Sequence, residues 1–467
     1  MIFKKKKTVL EEQPLCYWEE SSYMMAVPKG GGMDLSVRLF ERVAAISGVE
    51  LLKKRLPDED EPGYMEVGYD GEVYEIGFYE GDFSMPDMFN RRDYYFTDEE
   101  LYAIGRADRA LTVFMKFGVD GQKSYHLQLK IAVAMVPDLL AIVDESAEKL
   151  VCARWATLAA DSAVVPGTSV LFTVHAVTDE GGEVWLHTHG LNRCGLYELE
   201  ILKSDKENYN NHYYLISDLA SHLLDKDDRT SEPGVGVYIG MLNDRLPIVA
   251  TYVSWTKALD EYRSLVLGSA DDREEGHNGR TAPVFIYTSE DDEKKGRLRK
   301  VSEYDSMWGE NPLFFISTRE TNRMSALARE RFGLVKYMAK KDEGSILLKI
   351  GLKTDSAEQA DDREHIWFKL LEFDGERFKG QLIQEPYDVS HMHEGDEGWF
   401  TVEDVTDWII YLEEFSVTPD TAYLLVSYKR KRGEDCKGFY SPFPDILSKF
   451  AFAKHEYVME SFSELIK

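Results

Sequence analysis

The stretch YMEVGYDGEVYEIGFY, residues 64–79, decides the fold class. In its first half Met65, Val67 and Tyr69 alternate with Glu66 and Gly68, the period of two expected of a strand with one buried face. Glu72 to Tyr79 is the return strand. Between them sits Asp70-Gly71, a pair that tolerates positive φ at both central positions of a type I′ turn. The segment therefore predicts an antiparallel hairpin.

Helical signals flank it on both sides. Upstream, Leu35, Leu39, Val43 and Ile46 recur at helical spacing after Gly30-Gly31-Gly32. Downstream, Thr97-Asp98-Glu99-Glu100 is a capping box, so a helix starts there. Ala110 to Phe117 then reads as a strand, Tyr125 to Val136 as a helix ended by Pro137, and Leu139 to Val143 as a strand. An extra helical stretch is placed near Val151–Ala160. Strands follow at Val170–Val177 and Glu183–His187, a helix at Asn211–Leu224 and a strand at Val235–Met241. The order β-α-β-β-β-α-β has one strand more than a ferredoxin-like sandwich, which is its nearest match: an antiparallel sheet with helices on one face.

Polar, glycine-containing runs at 269–282 and 289–310 read as exposed loops, and a boundary falls near residue 320. Beyond it come a helix (Met324, Leu327, Phe332, Val335), a strand alternating at Ile346, Leu348, Ile350 and Leu352, and a second Asp-Gly hairpin at Asp374-Gly375, also read as type I′. Trp399–Val402 is a short strand, Glu403–Ile410 a helical turn and Tyr423–Tyr428 the last strand. The expected architecture is α+β: a small N-terminal unit (1–96), a ferredoxin-like domain (97–320), a strongly bent sheet or barrel with one helix (321–428) and a helical extension (429–467).

The chain has 467 residues and a formal net charge of −29. Phosphate backbones and anionic lipid call for a basic face, so neither nucleic acid nor a membrane surface is an expected partner. A basic protein is, although acidity for solubility alone is the plainer account. The densest acidic run is 355–414, with 18 acids against Arg363, Lys369, Arg377 and Lys379. Cys16, Cys152, Cys194 and Cys436 form no CxxC pair, which points to a reducing compartment, the bacterial cytoplasm. Lys4–Lys7 are not followed by an apolar leader core, and Ile131–Val143 is too short to span a bilayer.

Two resemblances emerge. MSALARERF (324–332), EHIWFKLLEFDGERFKGQLIQEPYDV (364–389) and EGDEGWFTVEDVTDWII (394–410) resemble the bacterial domain of unknown function 2314. The carrying features are Trp367, the Asp-Gly hairpin, Glu385-Pro386-Tyr387, Gly395-Asp396-Glu397 and Asp407-Trp408. VWLHTHGLNRCGLYELEIL (184–202) is similar to domain of unknown function 4026, which occurs in tandem with the first. Neither resemblance implies an activity.

The sharpest chemical candidate is His187-Thr188-His189. On a strand both imidazoles face one way, as a zinc pair requires. Cys194, His175 or Glu198 would complete the set; the plainer reading is a strand end with packed rings. Cys194 beside Arg193, with His189 or His212 as base, is a weaker nucleophile candidate, since its spacing is no known signature. His391-Met392-His393 reads as a solvated loop, and Gly30–Gly32 lacks the phosphate-loop spacing. No catalytic residue and no cofactor motif is assigned. Pro386 fixes a turn from which Tyr387 projects, so Glu385, Pro386, Tyr387 and Trp408 are the expected binding surface within the acidic run. Two functions follow: a non-enzymatic, protein-binding or immunity-type module, and alternatively a metal-dependent hydrolase centred on His187 and His189.

Overall fold

The computed structural model describes residues 20–30, 33–87, 89–225, 232–243, 246–262, 266–269, 280–308, 312–341, 344–357, 363–413 and 415–426. The expected extension at 429–467 lies outside them, as do Cys16, Cys436 and two of the three glycines at 30–32.

The first unit is a seven-stranded antiparallel sheet. Its elements are β1 (Ser21–Pro28), α1 (Arg38–Ala44), β2 (Val49–Arg55), β3 (Gly63–Tyr69), β4 (Glu72–Asp82), α2 (Asp98–Ile104), β5 (Arg109–Lys116), α3 (Gly121–Met135), β6 (Leu139–Asp144), β7 (Lys149–Cys152) and α4 (Ala153–Asp161). The strand order is β2-β3-β4-β5-β1-β6-β7. Asp70 and Gly71 both take positive φ, 49° and 84°, so the hairpin that opens the sequence reading has its I′ turn. The Thr97–Glu100 capping box is reciprocal: the Glu100 amide donates to Thr97 Oγ1 at 3.1 Å and the Thr97 amide to Glu100 Oε2 at 2.8 Å. The expected division at 96/97 does not hold. It falls between β4 and β5, which pair along seven positions from Ile76↔Met115 to Asp82↔Arg109. A boundary there would expose two edges of one buried sheet.

The second unit is also seven-stranded. It holds β8 (Thr173–Thr178), β9 (Glu183–His189), β10 (Glu198–Asp205), α5 (Tyr209–Asp225), β11 (Val237–Asn243), β12 (Leu246–Tyr252), α6 (Trp255–Glu261), β13 (Thr281–Tyr287), α7 (Glu290–Lys294) and β14 (Leu313–Phe314). The order is β14-β11-β12-β13-β10-β9-β8, with β10 and β13 the parallel pair. With seven strands apiece, both sheets are larger than the four-stranded ferredoxin-like sandwich. The run 289–310, expected as a loop, carries α7 and a 3₁₀ helix that buries Val301 and Tyr304.

The third unit begins at α8 (Thr318–Glu330), so the division near 320 moves to the helix cap, where Ser317 accepts the Glu320 amide at 3.0 Å. It continues through α9 (Phe332–Lys341), β15 (Ser345–Lys353), β16 (Arg363–Asp374), β17 (Arg377–Leu382), β18 (Glu397–Thr401), β19 (Val405–Tyr411), β20 (Ser416–Val417) and α10 (Tyr423–Val426). Its sheet, β18-β17-β16-β15-β19-β20, is open among the described residues, not a barrel. The expected helical turn at 403–410 is mostly strand β19, and the expected last strand begins as helix α10. The second Asp-Gly hairpin differs from the first. Asp374 pairs with Arg377, leaving Gly375-Glu376 as the loop, and only Gly375 takes positive φ (61°), the II′ pattern. The first and third units share one continuous core, and the Tyr423 hydroxyl accepts the Tyr95 amide at 3.0 Å.

Candidate metal centre

β8 and β9 form a hairpin at the edge of the second sheet. Its turn is tied by the Glu183 amide, which donates to Asp179 Oδ1 at 2.8 Å. The register pairs Thr173 with His189 and His175 with His187. Directly opposed residues on antiparallel strands project from the same face. His187 and His189, two apart, share it as well. Three imidazoles therefore converge, with ring centroids 5.8 Å apart for His175–His187, 5.0 Å for His175–His189 and 5.0 Å for His187–His189. One ligand nitrogen from each lies within 4.8 Å of the other two. A zinc ion bound at about 2.0–2.1 Å sets tetrahedral nitrogens about 3.4 Å apart, so closure needs roughly an ångström of side-chain movement.

A carboxylate completes the group. Glu148, in the β6–β7 turn of the first unit, places Oε2 3.4 Å from His175 Nε2 and Oε1 3.5 Å from His189 Nδ1. Its backbone is left-handed, φ 49°, unusual for a side chain with a Cβ. Such strain persists where surrounding structure enforces it, often at sites that do chemistry. His187 is 8% exposed and the Glu148 side chain 29%, so the cluster is seated on protein and open on one side. Trp185 forms part of the seat, its ring 4.5 Å from that of His187. Burial, then repulsion from His189, lowers the His175 pKa, with Glu148 opposing. Burial thus favours the neutral ring, the form that ligates metal.

The loop after His189 is clamped from behind. Glu198 accepts the Thr188 hydroxyl at 2.7 Å and the amides of Gly190 and Asn192 at 2.8 and 3.0 Å. It is therefore the buried anchor of this loop, not a fourth ligand. Cys194 is not in the cluster either. Its sulfur lies against Gly121, where an added Cβ would come within 2.8 Å of it. Arg193 turns to Asp144 instead, with two hydrogen bonds of 2.7 and 2.9 Å. His212 is no base for Cys194: its Nδ1 meets Ser204 Oγ at 2.7 Å and its Nε2 meets Asp305 Oδ1 at 2.8 Å. That chain has the composition of a hydrolytic triad, but Ser204 is 2% exposed and out of reach of a substrate.

In the third unit Tyr387 is 98% exposed. Glu364 fixes its turn by accepting the amides of Tyr387 and Asp388 at 2.7 and 2.8 Å. Glu385 accepts His393 Nδ1 at 2.7 Å and the Glu394 amide at 3.0 Å, so His393 of the second H-x-H is tied to its own loop. Trp408 does not belong to this surface. It is fully buried, and its indole N–H donates to the Ala328 carbonyl at 3.0 Å. Glu148 is the functional candidate that sequence reasoning missed, because nothing local ties it to a hairpin some thirty residues on.

Family models match in tandem: protein of unknown function (DUF4026), N-terminal part, over 22–166 and C-terminal part over 174–285, then the uncharacterized protein conserved in bacteria (DUF2314) over 336–427. Together the two DUF4026 parts cover more than half of the chain. No curated protein and no solved structure matches it.

Proposed function

We propose that this chain, which belongs to the DUF4026 family and carries a DUF2314 domain after it, is a metal-dependent hydrolase. His175, His187 and His189 would hold the ion, with Glu148 beside it. The convergence of three imidazoles and one carboxylate on an open face carries this reading. Three nitrogen ligands with a position left open are the donor set of catalytic zinc, which acts as a Lewis acid and brings a bound water to a pKa near 7. Glu148, between two rings and partly solvated, orients them and is placed to take a proton from water. Because Glu148 comes from the N-terminal half of DUF4026 and the histidines from the C-terminal half, an occupied centre also fastens the two halves together.

Elemental analysis of protein purified without chelator tests this. The expected result is about one zinc or similar ion per chain, lost in a folded His187→Ala/His189→Ala variant. Glu148→Gln should keep the metal and lose hydrolysis of p-nitrophenyl acetate or bis-p-nitrophenyl phosphate. Wild-type protein that neither carries metal nor takes up added zinc sinks the reading.

A second reading rests on Tyr387, a rigidly held, almost fully exposed aromatic within the acidic run. It suits a docking contact for a basic protein, as in an immunity-type module. Tyr387→Ala should leave stability within about 0.5 kcal/mol of wild type. It should also abolish capture of a partner from native lysate. Equal capture by both proteins removes Tyr387 from the interface.

A further inference from the structure

The three units meet around a cavity of about 660 Å³. It lies within the size range of small-molecule sites. None of the three clustered histidines lines the cavity, and its reading does not rest on the metal. Its walls carry five carboxylates (Asp93, Asp218, Asp225, Glu320 and Asp420) and two permanent cations, Lys149 and Arg323.

Both cations are already committed to protein acceptors. Lys149, 2% exposed, has three donors on its ammonium. They meet Ser169 O, Phe172 O and Asp93 Oδ2, each at 2.9 Å. Arg323 gives Nε and Nη2 to Glu320 at 2.7 Å each, and Nη1 and Nη2 to Asp420 at 3.1 and 3.0 Å. The uncommitted polar atoms have the opposite character. Asp225 Oδ2 accepts the Ser317 hydroxyl at 2.5 Å, whereas Asp225 Oδ1 is buried without a hydrogen-bond partner. Thr173, 4% exposed, has a buried hydroxyl in the same condition. Asp218, two turns before Asp225 on α5, faces His222 Nδ1 at 3.3 Å. Tyr94, Tyr213 and Phe315 add aromatic surface to the wall.

We propose that this cavity binds an organic cation, a small molecule with a primary ammonium or guanidinium group on an apolar body. Such a ligand supplies the N–H donors that Asp225 and Thr173 lack. Its charge offsets the excess of carboxylates, and its body lies on the aromatic rings, whose faces attract cations. An anionic ligand would meet carboxylates, while among the described residues Lys149, Arg323 and His222 already face protein acceptors.

Isothermal titration with agmatine at about 150 mM salt, where surface charge is screened, tests the proposal. One saturable site per chain is expected. Asp225→Asn, which keeps an acceptor for Ser317 but removes the charge, should weaken binding about tenfold or more. Thr173→Val, similar in shape, should weaken it a few-fold, and serves as the second variant if Asp225→Asn fails to fold. Glu403→Gln, on the exposed acidic run, should bind agmatine as wild type does. Adipate should not bind. Absence of saturable binding by agmatine, spermidine and phenethylamine overturns the proposal. So does wild-type affinity in folded Asp225→Asn and Thr173→Val, or competition by adipate.

Discussion

Replacing Arg193 by methionine is expected to lower the free energy of unfolding by about 3–5 kcal/mol, the usual cost of stranding one member of a buried ion pair. Arg193 is 3% exposed and Asp144 is fully buried. The guanidinium meets the carboxylate bidentately at 2.7 and 2.9 Å, and donates further to Ser22 Oγ at 3.0 Å and the Leu171 carbonyl at 2.8 Å. Its plane lies near the rings of Phe117 and Tyr125, at 5.4 and 5.3 Å. Methionine retains much of the packing volume but leaves the Asp144 charge buried without its counterion. Arg193→Met/Asp144→Leu removes both charges and should recover most of the loss, because two apolar side chains demand no partner. Urea unfolding of the three proteins measures this. A loss below about 1 kcal/mol in Arg193→Met would mean that water reaches Asp144. The pair joins β6 of the first unit to the turn after β9 of the second, so its rupture should also let the DUF4026 halves unfold in separate steps.

What could be read from the sequence was local. Asp70-Gly71, the Thr97 capping box and the alternation through β15 each carry their signal within a few residues, and each is present in the fold. The two His-x-His pairs look alike as text. One becomes a cluster because β8 brings His175 across from His187, and the other closes its own loop through Glu385. Glu148 was not legible, since its role depends on a left-handed turn and on packing between two sheets. The misplaced division at 96/97 has a similar cause: β4 and β5 are separated by a long stretch that includes α2 but are neighbours in one sheet. Trp408 shows the limit of composition. A tryptophan in an acidic, aromatic-rich segment suggested surface, yet Thr406, Trp408 and Ile410 alternate inward on β19, and α8 covers them. Adjacency in sequence sets Arg193 beside Cys194 and says nothing of a more distant partner. In the fold its partner, Asp144, comes from another sheet.

Glu198→Gln should be more stable than wild type by about 3 kcal/mol at pH 7 and above, the advantage shrinking to about 1 kcal/mol at pH 5. Glu198 is 6% exposed. Burial pushes its pKa up from 4.5 to about 7, against the pull of its hydrogen bonds from Thr188, Asn192 and Gly190. The folded chain then holds a proton between pH 4.5 and about 7 that the unfolded chain has already released. A raised folded-state pKa contributes stability that is complete below the unfolded value and is lost as pH rises through the folded one. Glutamine is neutral throughout. Its carbonyl can accept the amides of Gly190 and Asn192, while its NH₂ donates to Thr188 Oγ1, so the clamp behind His189 survives and metal retention should not change. The difference between the two proteins, measured by urea unfolding at pH 5, 6, 7 and 8, isolates this group from all others that titrate. A difference that stays flat would show that the three donors hold the carboxylate ionised at every pH tested. The stability of the loop after His189 would then come from charge-assisted hydrogen bonds instead of a buried proton.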